Sequence, residues 1–188
     1  MGEPGRPVAG GAVAAVAGFV PHGTCAPPIE AVIGISRIIR PASFAGRTPT
    51  LPPITPLTVD LMHLGFPKAM GAHIIDDVIV DPGCEKTVDK VVEALDGRTP
   101  RAILLTHIHF DHAGGTGRLI ERYPDTEVWV HERGAPHIAD PTRLVSSARK
   151  VFGEHFDMLW GEVVPVPEKN LRVLKGGESE GPWEVAYT

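Results

Sequence analysis

The sequence predicts an α/β chain, a mixed β-sheet flanked by helices, and three stretches carry that prediction. Residues 102–105 are a short apolar run that reads as a buried strand. It leads straight into Thr106-His107-Ile108-His109-Phe110-Asp111-His112 and the turn glycines Gly114-Gly115, with helical character resuming over 118–122. Upstream, the β-type run 78–80 precedes Val88, Val91, Val92 and Leu95, spaced i, i+3, i+4, i+7 as one apolar helix face. Downstream, 127–130 returns as another β-type run. Strand, turn and helix alternating in this way build open sheets whose ligands bind beyond the carboxyl ends of the strands.

Taken in order, the first 56 residues stand apart. They hold ten of the nineteen prolines and no aspartate, lysine, tryptophan or tyrosine. They read as a disordered Pro/Gly/Ala-rich extension, leaving 57–188 as the folded domain. Residues 8–20 are apolar and imitate a secretory core, but Arg6 is the only basic residue before them and Glu3 offsets it. Pro21-His22-Gly23 stands where a small-residue cleavage site belongs, and the run is too short to span a bilayer. A short helix is predicted over 30–40 and an extended linker over 49–56.

The domain opens with a strand over 57–64, broken by Gly65-Phe66-Pro67, and 72–75 with 78–80 form a hairpin around Asp76-Asp77. Asp81-Pro82-Gly83 leads to the first helix, which takes Thr87 as its cap and Asp96-Gly97 as its stop. A second helix starts at Asp140-Pro141 and ends at Gly153, with Leu144, Val145, Ala148, Val151 and Phe152 as its buried face. Phe156, Met158, Leu159 and Trp160 cluster beside it. Pro165 and Pro167 keep 163–167 extended, at an edge or outside the sheet. Residues 171–174 and 183–187 pair as a last hairpin around Gly176-Gly177.

Four metal-binding side chains, His107, His109, Asp111 and His112, fall within six residues. Imidazole and carboxylate are the donors that zinc and similar divalent cations accept. His107 and His109 are two apart, so in extended chain they point the same way and grip one ion. Asp111 and His112 follow as the chain turns and diverge toward a second ion. His63 and His73 read as ordinary strand residues, and His131 and His137 as capping or surface residues with a secondary chance of approaching substrate.

His-x-His-x-Asp-His after an apolar strand, followed by Ala113-Gly114-Gly115, resembles the signature of the metallo-β-lactamase fold superfamily. Asp81-Pro82-Gly83 after a strand resembles that family's earlier aspartate motif. The resemblance covers roughly residues 57–188 and implies half of an αββα sandwich. It implies that His107 and His109 bind a first cation, that Asp111 and His112 bind a second, and that Asp81 orients the site from behind. It also implies two divalent ions, zinc with iron or manganese as alternatives, and a metal-bound hydroxide attacking a thioester, lactone or amide carbonyl, with Asp111 steering the proton. Phe66 in the first hairpin loop and His137 are the weaker substrate candidates. Glyoxalase-II-like thioester hydrolysis is one form of this chemistry. A mononuclear-iron persulfide dioxygenase of the same fold is the rival, one that leaves Asp111-His112 unused.

The family completes its first metal with a histidine in a later Pro-Gly-His loop, and no Pro-Gly-His occurs in this sequence. The sequence therefore predicts the amino-terminal part of a domain, inactive alone, binding metal weakly and exposing a sheet face; a degraded gene product is the non-enzymatic alternative. A net charge of −5 without a basic run excludes most nucleic-acid and anionic-membrane partners, leaving a small-molecule substrate. Cys25 and Cys84 lie in unlike segments and read as reduced thiols, which points to the cytoplasm.

Overall fold

The computed structural model describes residues 56–180 and 183–185; the extension up to Thr55, with its predicted helix, linker and Cys25, lies outside them, as do residues 186–188. A six-stranded sheet runs in the order β1-β2-β3-β4-β5-β6, and a separate two-stranded hairpin pairs β7 with β8. The strands are β1 (Leu57–Asp60), β2 (Gly71–Ile75), β3 (Val78–Val80), β4 (Ala102–Leu104), β5 (Glu127–His131), β6 (Leu171–Leu174), β7 (Ser179–Glu180) and β8 (Trp183–Glu184). Pairing is antiparallel through β3 and parallel from β3 to β6, so the sheet is mixed.

Alternation along β3, β4 and β5 sorts two cores. Ile79, Ile103, Leu105, Val128 and Val130 meet α1 (Val88–Leu95) and α3 (Thr116–Arg122) through Val88, Val91, Leu95, Leu119 and Ile120. Val78, Val80, Ala102, Leu104 and Trp129 face the other way and cluster with Trp183 and Val185. That second face was expected to be exposed, yet Val78 and Trp129 are fully buried. Arg101 and Arg172 stand over the Trp129 ring at 5.0 and 5.6 Å, and Trp183 meets it edge-on at 6.5 Å. Cations on an aromatic face thus cover part of this surface.

Several local expectations change. β1 ends at Asp60, because Met62 and Leu64 adopt left-handed backbone (φ 49° and 52°), which no strand continues, and His63 sits in a 3-10 turn. Thr87 occupies the start of α1 but makes no capping bond to it; its hydroxyl donates to the Cys84 carbonyl at 2.9 Å. A short helix, α4 (Ala135–Ala139), carries His137 where only a connecting segment was expected. Helix α5 (Thr142–Phe152) forms as predicted but buries none of its residues, and Val151 is 76% exposed. Its neighbours are short helices rather than the sheet, so α6 (Phe156–Trp160) supplies the buried anchor instead, through Phe156 edge-on to Phe110 at 5.3 Å. Residues 171–174 join β5 in parallel instead of pairing with 183–187; the hairpin there is β7 with β8.

Candidate metal centre

Parallel pairing of β3 with β4 brings both carboxyl ends to one edge of the sheet. Asp81 follows β3, and its N–H donates to Leu104 O at 3.0 Å, so the ladder carries on to the residue that turns away. Asp81 adopts φ 51°, a left-handed conformation that aspartate tolerates better than most residues. Gly83 then takes φ 84° with Leu61, Thr87 and Met70 crowding its Cα; a side chain there would meet Thr87 Oγ1 at 2.7 Å. The Gly83 N–H donates to His112 O at 3.1 Å and the Gly115 N–H to Gly83 O at 2.8 Å. Two backbone bonds therefore clamp the turn after β3 to the turn after β4.

The second turn is short: His109 precedes helix α2 (Phe110–Ala113), with Ala113 N–H donating to His109 O at 2.7 Å. Phe110 points into the core, 8% exposed, while Asp111 and His112 are half-buried and His109 is exposed. The His107 ring lies 3.9 Å from that of His112 and 4.7 Å from that of His109, centroid to centroid. His112 Nε2 lies 3.3 Å from Asp111 Oδ2, and His112 Nδ1 donates to Asp81 Oδ2 at 2.9 Å. The four residues singled out from spacing are thus neighbours in space, with Asp81 behind them.

Electrostatics follows from this packing. Burial alone would lower the His112 pKa, but bonds to Asp111 and Asp81, with the charges of both, raise it to about 9. Burial, then the charges of His112 and His109, hold His107 below its ordinary range, so it is a neutral ring. Burial would raise Asp111, and the His112 hydrogen bond and charge outweigh it, keeping the carboxyl below its usual value. Without a cation, the site is held by an imidazolium shared between two carboxylates.

Ligating atoms of Asp81, His107 and His112 lie within 4.8 Å of one another, the one such group among the described residues. Asp81 is the member of this group already engaged by protein hydrogen bonds. Its Oδ1 accepts the Thr106 N–H at 2.8 Å, and its Oδ2 accepts both the Thr106 hydroxyl at 2.6 Å and His112 Nδ1. A carboxylate so engaged, 8% exposed, has little left for an ion, whereas a metal-bound imidazole characteristically gives its other N–H to such a partner. Of the four residues predicted from spacing, His107 and His112 fall in this group and His109 and Asp111 lie outside it; all four offer nitrogen or oxygen donors of the kind that fit zinc or a similar divalent cation.

The remaining candidates fall elsewhere. Phe66 is 65% exposed in the β1–β2 loop, whose base is pinned by Leu61 N–H to Met70 O at 3.0 Å and by Leu61 against Gly83. His137 lines, with Ile108, Phe110 and Thr116, a cavity of about 10 Å3. Neither belongs to the histidine–aspartate group. His63, read from sequence as a strand residue, stacks on Trp160 at 5.6 Å and bonds Leu159 O at 2.7 Å, holding the same loop against α6. Nothing in its spacing signals this, because its partners are 96 residues away. His131 is buried at the end of β5, its Nδ1 accepting the Arg133 N–H. Cys84 is a free, buried thiol, and burial pushes its pKa up.

Comparison with known proteins bears on this geometry. A family model described as the metallo-beta-lactamase superfamily matches residues 76–186. A hydroxyacylglutathione hydrolase from Salmonella paratyphi A is 36% identical over 85 residues, covering 43% of this chain and 32% of the relative. A probable metallo-hydrolase of Bacillus subtilis is 43% identical over 65 residues, covering 34% and 29%. The matched stretches thus span about a third of these curated relatives. Among solved structures, an archaeal protein from Sulfolobus tokodaii aligns with TM-score 0.57 at 20% identity, over 70% of this chain and 53% of that one, a likeness of fold.

Proposed function

This chain belongs to the metallo-beta-lactamase superfamily, and from that premise we propose that it carries the histidine–aspartate part of a metal-dependent hydrolase site acting on a thioester, lactone or amide carbonyl. His107 and His109 hold one divalent cation and Asp111 with His112 a second, zinc by preference with iron or manganese as alternatives. The observation that supports this proposal is that the His107 ring lies 4.7 Å from that of His109 and 3.9 Å from that of His112, with Asp111 3.3 Å from His112 and the Asp81 carboxylate bonded behind it.

A cation bound there supplies Lewis-acid polarisation and makes water more acidic. The chain's own residues do the rest. His107, neutral, offers a lone pair without first losing a proton. Asp111 Oδ2, 3.3 Å from His112 Nε2, would hold the second cation with His112 and steer the proton. Phe66, with Leu64 and Met62 exposed beside it, lines the approach for the substrate's apolar part, and His137 supports the ligand segment from behind.

The names of the relatives favour a hydroxyacylglutathione-type thioester as the first substrate to try. The domain so proposed is 57–188, cytoplasmic, with a small-molecule partner and neither nucleic acid nor membrane; among the described residues no helix is long and apolar enough to cross a membrane. Two side chains per cation fall short of the three or four that zinc usually takes, so binding by this chain is weak and exchangeable. Equilibrium dialysis against zinc, with hydrolysis of S-lactoylglutathione followed in parallel, tests the proposal. Zinc uptake that is lost in the His107→Ala and His112→Ala variants is the expected result. Uptake untouched by either substitution would sink the assignment, and one tightly held iron with persulfide oxidation would favour the dioxygenase.

A further inference from the structure

Thr106 plays no part in the ligand set, yet its hydroxyl sits at a junction. Oγ1 lies 2.6 Å from Asp81 Oδ2 and 3.0 Å from His107 Nδ1. A hydroxyl has one proton and two lone pairs, while an ionised carboxylate can only accept. The Thr106 proton therefore goes to Asp81, and Oγ1 is left as an acceptor toward His107. In a neutral imidazole that acceptor holds the ring proton on Nδ1 and leaves the Nε2 lone pair free. Asp81 Oδ2 also holds the His112 Nδ1 proton directly, so the proton that a cation would displace from that imidazolium is the one on Nε2.

We infer that Thr106 is a positioning residue that sets the His107 tautomer, so that one carboxylate, acting directly on His112 and through the Thr106 hydroxyl on His107, holds a proton on both Nδ1 atoms and leaves the two Nε2 atoms as the positions where cations would bind. This rests on the hydrolase proposal for its purpose but not for its geometry, which exists in the metal-free chain. Thr106 is held for the task twice, because its own N–H donates to Asp81 Oδ1 at 2.8 Å, so backbone and hydroxyl grip one carboxylate.

The test is long-range 15N–1H correlation of the histidine rings in the metal-free full chain, together with zinc affinity by competition with a chromophoric chelator. In the wild type, His107 is expected as the Nδ1–H form. Thr106→Val should shift it toward Nε2–H and weaken zinc about tenfold, the lower end for loss of a partner behind a ligand. Thr106→Ser should restore both. His112 keeps its Nδ1 proton in Thr106→Val, which separates loss of one orienting bond from collapse of the site. A wild-type His107 protonated on Nε2, or a Thr106→Val protein with unchanged tautomer and zinc affinity, overturns the inference. Absence of zinc binding in the wild type, with the tautomer as expected, strikes the hydrolase proposal instead.

Discussion

Replacing Asp81 by asparagine changes one atom and inverts the hydrogen bonding on which the centre depends. The carboxylate accepts three bonds, from Thr106 N–H, Thr106 Oγ1 and His112 Nδ1. Asparagine keeps the tolerance for left-handed backbone that φ 51° demands, so the turn survives. Its Oδ1 can still accept from Thr106 N–H. Its amide nitrogen, however, now faces His112 Nδ1 and donates to it, which moves the neutral ring's proton to Nε2, where the cation should bind. Loss of such a partner costs about 10–100-fold in metal affinity, or roughly 1.4–2.8 kcal/mol at 1.4 kcal/mol per tenfold. The fold loses about 1.5–3 kcal/mol where a bond to a charged group is removed from a nearly buried site. With one of its two raising carboxylates gone, His112 titrates below its value of about 9. Zinc titration by calorimetry and an NMR pH titration of the His112 ring read both effects in one sample. Asp81→Asn binding zinc like the wild type, with His112 still titrating near 9, would refute the reasoning.

Four further outcomes follow from the structure. His112 rises from 6.5 to about 9 on folding, so its stabilisation of the metal-free fold is complete below pH 6.5 and lost as pH climbs through 9. With the side chain 34% exposed, the full shift is discounted to about 1 kcal/mol, measurable by urea unfolding at pH 6 and pH 10. Zinc must displace that same proton, so affinity rises about tenfold per pH unit between 7 and 9; a flat profile by dialysis would contradict it. Gly83→Ala places a methyl against Leu61 and Thr87 at φ 84° and should cost about 3 kcal/mol through strain and overpacking, seen as a lower urea midpoint. Trp129→Ala empties a fully buried site beneath Arg101 and Arg172 and should cost about 3–5 kcal/mol, so a loss under 1 kcal/mol would show that this face is not packed.

The mixed sheet, and the closeness of His107, His109, Asp111 and His112 in space, were legible because their signals are local. Residues 102–105 are apolar between polar flanks, His107, His109, Asp111 and His112 fall within six residues, and Val88, Val91 and Leu95 repeat at helical spacing and are buried. Long-range facts were not legible. Whether the amphipathic face of α5 is buried depends on what lies beneath it, and short helices cover it only in part. The partner of residues 171–174 was misjudged because a nearby turn suggested a hairpin, whereas β5, forty residues earlier, offered a parallel slot. Left-handed Met62 and Leu64 carry no glycine to announce the end of β1. Thr106 escaped notice for a similar reason. A threonine at a strand end is common, and only the fold sets its hydroxyl between a carboxylate and an imidazole.

The pair of backbone bonds joining Gly83 to His112 and Gly115 also decides how this region comes apart. Segments so stitched cannot open one at a time, because either departure strands amides and carbonyls of both. Amides 83, 106 and 115 should therefore exchange with deuterium at a common rate, as one cooperative unit. Solvent reaches the back of the ligand cluster only when that whole unit opens.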